Sequence, residues 1–199
     1  MDHIASLPIY VDDLFGELEA PIRIYATHEV TESLKRDVFN DVVYPRFDEL
    51  QNQHGRVMEY VPVEVGREFR VAHLKVTAVS VNHIVPTIGL TVSDGATTVA
   101  FSSDTAETDD FWKLVNRAPH LEALFIEASF PNSMIDLAKA SKHLTPQMLS
   151  SELNKLNHNG MDILAVHVKP AYREKVADEL AALGIAKLRM MEVGKVYKW

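Results

Sequence analysis

The strongest constraint on this chain is a succession of apolar runs of strand length, several of which end in a residue that can ligate or transfer a proton. Between residues 57 and 103 the runs VMEYVPVEV, FRVAHLKVTAVSVN, TIGLTVS and TTVAFSS follow one another, and SDGAT (93–97) reads as a hairpin turn joining the last two. From residue 121 the pattern changes. Strand-like LEALFIEAS (121–129), MDILAVHV (161–168) and AKLRMMEVG (186–194) alternate with helical SMIDLAKAS (133–141), TPQMLSSELNKLNHNG (145–160) and PAYREKVADELAALG (170–184). In the helix at 145–160, Thr145 is the expected N-cap, Pro146 the first helical residue and Gly160 the stop. TDDFWKLVNRAP (108–119) also reads as a helix. Upstream, residues 4–18 and 27–39 read as helices around a short strand at 21–26, with Thr27 as an N-cap candidate; residues 40–56 are polar with a poor core pattern. Clustered strands followed by alternating strands and helices imply an α/β chain with two sheets covered by helices.

Composition narrows the chemistry. At 199 residues the chain can bury a sizeable core, and no repeat, low-complexity stretch or linker divides it. The formal net charge of −8 opposes tight binding to long nucleic acids, which needs clustered Lys and Arg. No cysteine is present, so disulfides, thiolate ligands and a Cys nucleophile are excluded, and any metal must be held by His, Asp and Glu. No stretch approaches the ~20 apolar residues of a membrane span. No signal peptide is visible, and a cytoplasmic location is expected.

Four polar residues sit at strand ends: His83 after VTAVSVN, Asp104 after TVAFSS, Glu127 late in ALFIEAS, and His167 after DILAV. Asp2 and His3 precede a helix, and His143 lies in the loop SKHLTP. Strand ends suit ligands and catalytic groups, because the strand fixes the backbone while the loop lets side chains converge. Each residue also has a plainer reading. A single strand-end His is most often a hydrogen-bonded surface residue, and Asp104 in SSDT suits a turn or an N-cap. Glu127 is harder to dismiss, since a carboxylate within an apolar run is costly unless paired. His28, His54, His73, His120 and His158 lie in polar or irregular contexts and read as ordinary.

Taken in order, DHIASLP, VNHIVPTIG, FSSDT, IEASF, SKHLTP and AVHVKP resemble the metallo-β-lactamase superfamily. Within it they are most similar to the class II cyclic-nucleotide phosphodiesterases and the tRNA 3′-processing endonucleases. The resemblance runs from residue 1 to about residue 184 and implies an αββα sandwich, two mixed β-sheets flanked by helices, as one domain over residues 1–199. The family motif H-x-H-x-D-H is matched only in its last half, by Met1-Asp2-His3. The expectation is that the front half of the motif, and the first strands of the N-terminal sheet, lie upstream of residue 1. Made as written, without the two leading His, the chain is expected to expose apolar surface, hold metal weakly and show little activity.

The resemblance assigns roles residue by residue. One metal would take the two absent leading His, His83 and the bridging Asp104; the other would take Asp2, His3, Asp104 and His167. His143, supported by Glu127, would protonate the leaving oxygen of a phosphodiester, with Glu127 favouring its charged form and fixing its tautomer. Ser103 stands where the family often has Gly; being small, it keeps the tight turn attainable. Two metals can clamp a phosphodiester and supply hydroxide for in-line attack, and Asp2 is counted with His143 and Glu127 among the catalytic residues. Zinc is the usual family occupant, and nitrogen and oxygen ligands suit manganese or iron as well. The implied activity is hydrolysis of a 3′,5′-cyclic nucleotide, cyclic AMP or cyclic GMP, to the 5′-monophosphate. The alternatives are a tRNA 3′-end endonuclease, which the acidic charge and the absence of a basic arm disfavour, and a non-catalytic binding domain or fragment. The expected partner is a small phosphodiester rather than a long nucleic acid or a membrane, and the resemblance is compatible with a homodimer.

Overall fold

The structure is a computed structural model that describes residues 4–199, so Asp2 and His3 lie outside the described residues. The chain divides between Glu64 and Val65 into two compact units.

The first unit contains α1 (Leu7–Leu14), β1 (Ile22–Ala26), α2 (His28–Asp37), β2 (Gln51–Asn52), β3 (Gly55–Arg56) and β4 (Met58–Pro62). β1 and β4 pair in parallel, from Ile22 opposite Met58 to Ala26 opposite Pro62, and β2 and β3 form a small hairpin within the stretch expected to be irregular. Phe47 fills the core, 6.4 Å from the Phe15 ring and 5.9 Å from Phe39, among Val11, Leu34, Val57 and Met58. α1 is shorter than the expected 4–18. Asp12 and Asp13 occupy its last turn, where negative charge opposes the helix dipole, and Phe15 N–H closes back onto the Asp12 carbonyl. Thr27 takes the N-cap position of α2 with an extended backbone, but its hydroxyl makes no capping bond.

The second unit carries β5 (Glu68–Val71), β6 (Leu74–Ser80), β7 (Ile88–Ser93), β8 (Thr98–Phe101), α3 (Asp110–Val115), β9 (Leu121–Glu127), α4 (Ile135–Ala140), α5 (Pro146–Leu153), β10 (Asp162–Val166), α6 (Arg173–Ala182) and β11 (Leu188–Met190). These strands form one seven-stranded mixed sheet in the order β11-β10-β9-β8-β7-β6-β5. β5 to β8 are antiparallel neighbours, and β8 to β11 run in parallel. The long run at 69–82 is therefore not one strand. It breaks at Ala72, in the left-handed region with φ +52°, and folds into the β5–β6 hairpin. The expected turn at 93–97 forms: Asp94 Oδ1 accepts the N–H groups of Ala96 and Thr97, and Gly95 supplies a φ of +101°.

Alternation on the central strands builds the core. Leu124, Ile126, Ile163 and Ala165 are buried against Phe111, Trp112 and Val115 of α3, Met148 and Leu149 of α5, and Val176 and Leu180 of α6. Each large side chain so removed from water contributes about 1.5–3 kcal/mol. Glu152 is buried beneath α3, where its carboxylate accepts Trp112 Nε1–H at 2.7 Å and pairs with Lys155 at 2.8 Å. α5 begins as expected, with the Thr145 hydroxyl accepting Met148 N–H at 3.3 Å and Pro146 following. It ends at Leu153, well before Gly160. Asn116 captures the chain beyond it, its amide donating to the Lys155 carbonyl at 2.7 Å and its oxygen accepting Asn157 N–H at 2.8 Å. Those bonds replace the continuing helical ladder.

Sheet polarity positions the candidate site. β6, β8, β9 and β10 all run in one direction, since β6 and β8 are each antiparallel to β7. Their C-terminal ends therefore open on one edge, and the residues following them, or closing them in the case of Glu127, are His83, Asp104, Glu127 and His167.

Candidate metal centre

At that edge the sequence-distant side chains meet. Asp104 Oδ2 lies 3.3 Å from His167 Nε2 and 4.0 Å from His83 Nε2. His83, Asp104 and His143 each offer a donor atom, and these atoms lie within 4.8 Å of one another. The His143 ring is 4.9 Å from that of His83 and 5.4 Å from that of His167, centroid to centroid. All four side chains are buried or nearly so.

Hydrogen bonds set which nitrogen each imidazole presents. His83 Nδ1 is 3.0 Å from the Lys142 carbonyl, an acceptor only, so Nδ1 carries the hydrogen and Nε2 turns its lone pair toward Asp104. His143 Nδ1 is 2.8 Å from Glu127 Oε1, which again leaves Nε2 as the outward atom. A carboxylate oxygen facing imidazole nitrogens is stabilised by a cation among them or by a proton on an imidazole. Partners on the far nitrogen are the usual way a protein orients ligating imidazoles. The donor set therefore fits a divalent metal with nitrogen and oxygen preference, held by His83, Asp104 and His167 with His143 beside it.

Glu127 is fully buried and organises this edge. Oε1 accepts Thr105 N–H at 2.6 Å in addition to His143, and Oε2 accepts Leu144 N–H at 3.0 Å and the Ser129 hydroxyl at 2.8 Å. One carboxylate thus ties the loop after β8, where Asp104 lies, to the loop that carries His143. These bonds offset the cost of burying the charge. The backbone is strained at the same place. Ser103, Lys142 and His167 take φ values of +53°, +52° and +57°, a left-handed conformation that costs a non-glycine residue about 1–2 kcal/mol. Ser103 thus reaches the tight turn expected of it.

His83, Asp104, Glu127, His143 and His167 are all brought together, while the expected ligands Asp2 and His3 lie outside the described residues. Three contributors went unmarked in the sequence. Ser129 bonds Glu127 and also reaches the His167 carbonyl at 3.2 Å; its place two residues past Glu127 was the available signal. Lys142 clips His83 through its carbonyl, and Lys169 Nζ lies 3.0 Å from His167 Nε2.

A mixed sheet flanked by helices, with imidazole and carboxylate donors gathered at its strand ends, defines a metal-site domain of metallo-β-lactamase type. The sequence profile of the β-lactamase superfamily domain matches residues 1–168, and the chain belongs to that family. Among curated protein sequences, none matches it. Solved structures share its fold. The metallo-β-lactamase fold protein YhfI from Bacillus subtilis superposes with a TM-score of 0.74 at 15% identity, over 99% of this chain and 73% of that one. Zinc-bound PqqB from Methylobacterium extorquens gives 0.67 at 17% identity, over 100% and 70%. The short form of human tRNase Z gives 0.59 at 19% identity, over 83% and 68%. No described helix is long and apolar enough to cross a membrane.

Proposed function

We propose that this chain is a metal-dependent phosphodiesterase that opens 3′,5′-cyclic nucleotides to nucleoside 5′-monophosphates. The observation that carries the reading is the buried Glu127–His143 pair, 2.8 Å apart, with His143 beside His83 and Asp104 in one donor group and His167 3.3 Å from Asp104. Divalent metal at such a centre, zinc with manganese or iron as substitutes, supplies Lewis acidity toward the phosphoryl oxygens and lowers the pKa of a water. In this reading His83, Asp104 and His167 would hold metal, with Asp2 and His3 completing a two-metal set and Asp2 among the catalytic residues.

The chain's own acid is His143. Its Nδ1–H donates to Glu127, so a proton on Nε2 makes the ring cationic, and the Glu127 carboxylate stabilises that charge. Cleavage of the P–O3′ bond leaves an alkoxide, which takes the Nε2 proton; the ring returns to neutrality with its Nδ1–H bond intact. Ser129, bonded to Glu127 and 3.3 Å from His143 Nδ1, keeps the carboxylate in place.

The fold neighbour tRNase Z supports the chemistry class, and the formal charge of −8 favours a small phosphodiester over a tRNA. The test is cyclic AMP and cyclic GMP hydrolysis by wild type and His143→Ala, with bound metal measured on the same samples. His143→Ala is expected to lower turnover by about 10²–10⁴-fold, as loss of a general acid does, with metal content near wild type. Loss of metal in that variant would make His143 a ligand and overturn its role as acid. Turnover of tRNA 3′ ends in place of cyclic nucleotides would overturn the substrate.

A further inference from the structure

The edge of the seven-stranded sheet opposite the metal centre carries a polar pocket that none of the roles above uses. β6 and β8 begin at that edge and β7 ends there, since β7 runs against both. On the face covered by α3, the side chains change character along β7. Gly89 lies against Phe111, and the next residues on its face are Thr91 and Ser93. Thr77 stands opposite Thr91, Lys75 opposite Ser93, and Ser93 opposite Thr98, so hydroxyls and an amine occupy two adjoining rows. Arg117, two residues beyond α3, lines the same pocket of about 260 Å³.

Thr98 is the most informative of these residues. It is 2% exposed, and its hydroxyl has no hydrogen-bond partner among the described residues. Buried hydroxyls are nearly always bonded, and one left unpaired is costly. Lys75 and Arg117 are exposed, and no ion pair engages either among the described residues. Glu68 sets one carboxylate in the lining against these two cations. Asp94, in the adjacent turn, turns its carboxylate to the N–H groups of Ala96 and Thr97, and Arg70 stands opposite Lys75 on β5. The local balance is therefore positive in a chain of net charge −8.

We propose that this pocket binds a small phosphate-type anion at a site separate from the metal centre. Lys75 and Arg117 meet the charge, and the hydroxyls of Thr77 and Thr91 donate to the oxygens. The Thr98 hydroxyl gains its missing partner from the anion, directly or through one ordered water. The volume lies below the roughly 300–1,000 Å³ of pockets for drug-sized ligands, so the occupant is small. The inference is independent of the phosphodiesterase reading and shares no residue with it.

The test titrates inorganic phosphate into the isotope-labelled full chain at constant ionic strength and follows backbone amide shifts by NMR. Wild type is compared with Lys75→Met, Arg117→Met and Thr98→Val. Saturable shifts at Lys75, Thr77, Thr91, Thr98 and Arg117 are expected in wild type. Each charge variant should weaken the phosphate dissociation constant about fivefold, as loss of one exposed charge contact does. Thr98→Val keeps the shape and removes the hydroxyl. Without phosphate its thermal midpoint should equal or exceed that of wild type, and the rise that phosphate gives wild type should shrink. A lower midpoint without phosphate would show that the hydroxyl is already bonded in the fold and overturn the inference. Shifts confined to amides near His83, Asp104 and His167, shifts that grow without saturating, or equal affinity in all four proteins would overturn it as well.

Discussion

Glu127 concentrates four hydrogen bonds on a carboxylate with no exposure to water, which makes it the most informative residue to change. Glu127→Gln keeps the shape but offers one acceptor oxygen where two are used, so one of the Thr105 or Leu144 amides loses its partner. A stability loss of about 1–3 kcal/mol is expected by chemical denaturation. The neutral amide also removes the carboxylate that faces His143 Nδ1 at 2.8 Å, so turnover is expected to fall. Turnover equal to wild type would contradict this role. A pH effect belongs to Asp162. Its hydrogen bonds from Arg189 and then Trp199 hold its carboxyl at about 2, below the ordinary 3.8. The depressed value stabilises the fold above pH 3.8, and that contribution is lost as pH falls toward 2. The pair is partly exposed, so the effect is small, below about 1 kcal/mol. Asp162→Asn should lower the thermal midpoint at neutral pH and converge with wild type in acid; a constant difference would contradict it. At this scale the sequence marked, by their place at strand and loop ends, the five side chains that the structure gathers at one sheet edge. It did not reveal Ser129, Lys142 or Lys169, because their contribution lies in hydrogen-bond direction and left-handed backbone, which no spacing pattern encodes.

Elements were legible where periodicity and caps agreed. β9 and β10 read clearly because a buried, parallel strand is a short apolar run. The start of α5 read clearly because Thr145 and Pro146 are a local signal. Its end did not, because Asn116, far away in sequence, draws Lys155 and Asn157 out of the helix. The β5–β6 hairpin was hidden for the opposite reason: its turn at Ala72 and His73 lacks glycine, asparagine or proline. Close packing between α3 and the sheet shows at Gly89 on β7, where a Cβ would lie 2.7 Å from Phe111 Cδ2 and 3.0 Å from Val81 Cγ1. Phe111 is fully buried and cannot swing aside. Gly89→Ala is expected to destabilise by about 1–3 kcal/mol, the usual range for overpacking. An unchanged denaturation midpoint would show that α3 yields more readily than its packing implies. Thr145→Ala removes the cap of α5 and should cost about 1 kcal/mol.

For the molecule as a whole, strand direction decides where chemistry can occur. Because β6, β8, β9 and β10 point one way, residues from 83 to 167 reach one edge of the seven-stranded sheet, and the donor group forms there without a long excursion of any loop. The order of strand-end residues was enough to place this chain by resemblance in the metallo-β-lactamase superfamily, and the domain match and the shared fold bear that out. The approach of Lys169 Nζ and Asp104 Oδ2 to the same His167 Nε2 was not legible, since it depends on side chains from separate segments reaching one atom. If the cluster is a metal centre, metal bound to the folded chain alone must raise its thermal midpoint. The most direct measurement is zinc bound at equilibrium by wild type and by Asp104→Ala, quantified on dialysed protein. Zinc bound weakly by wild type in equilibrium dialysis, and not at all by Asp104→Ala, is the expected result. Equal zinc in the two proteins, or none in either, would contradict the assignment of this strand-end cluster as the metal centre.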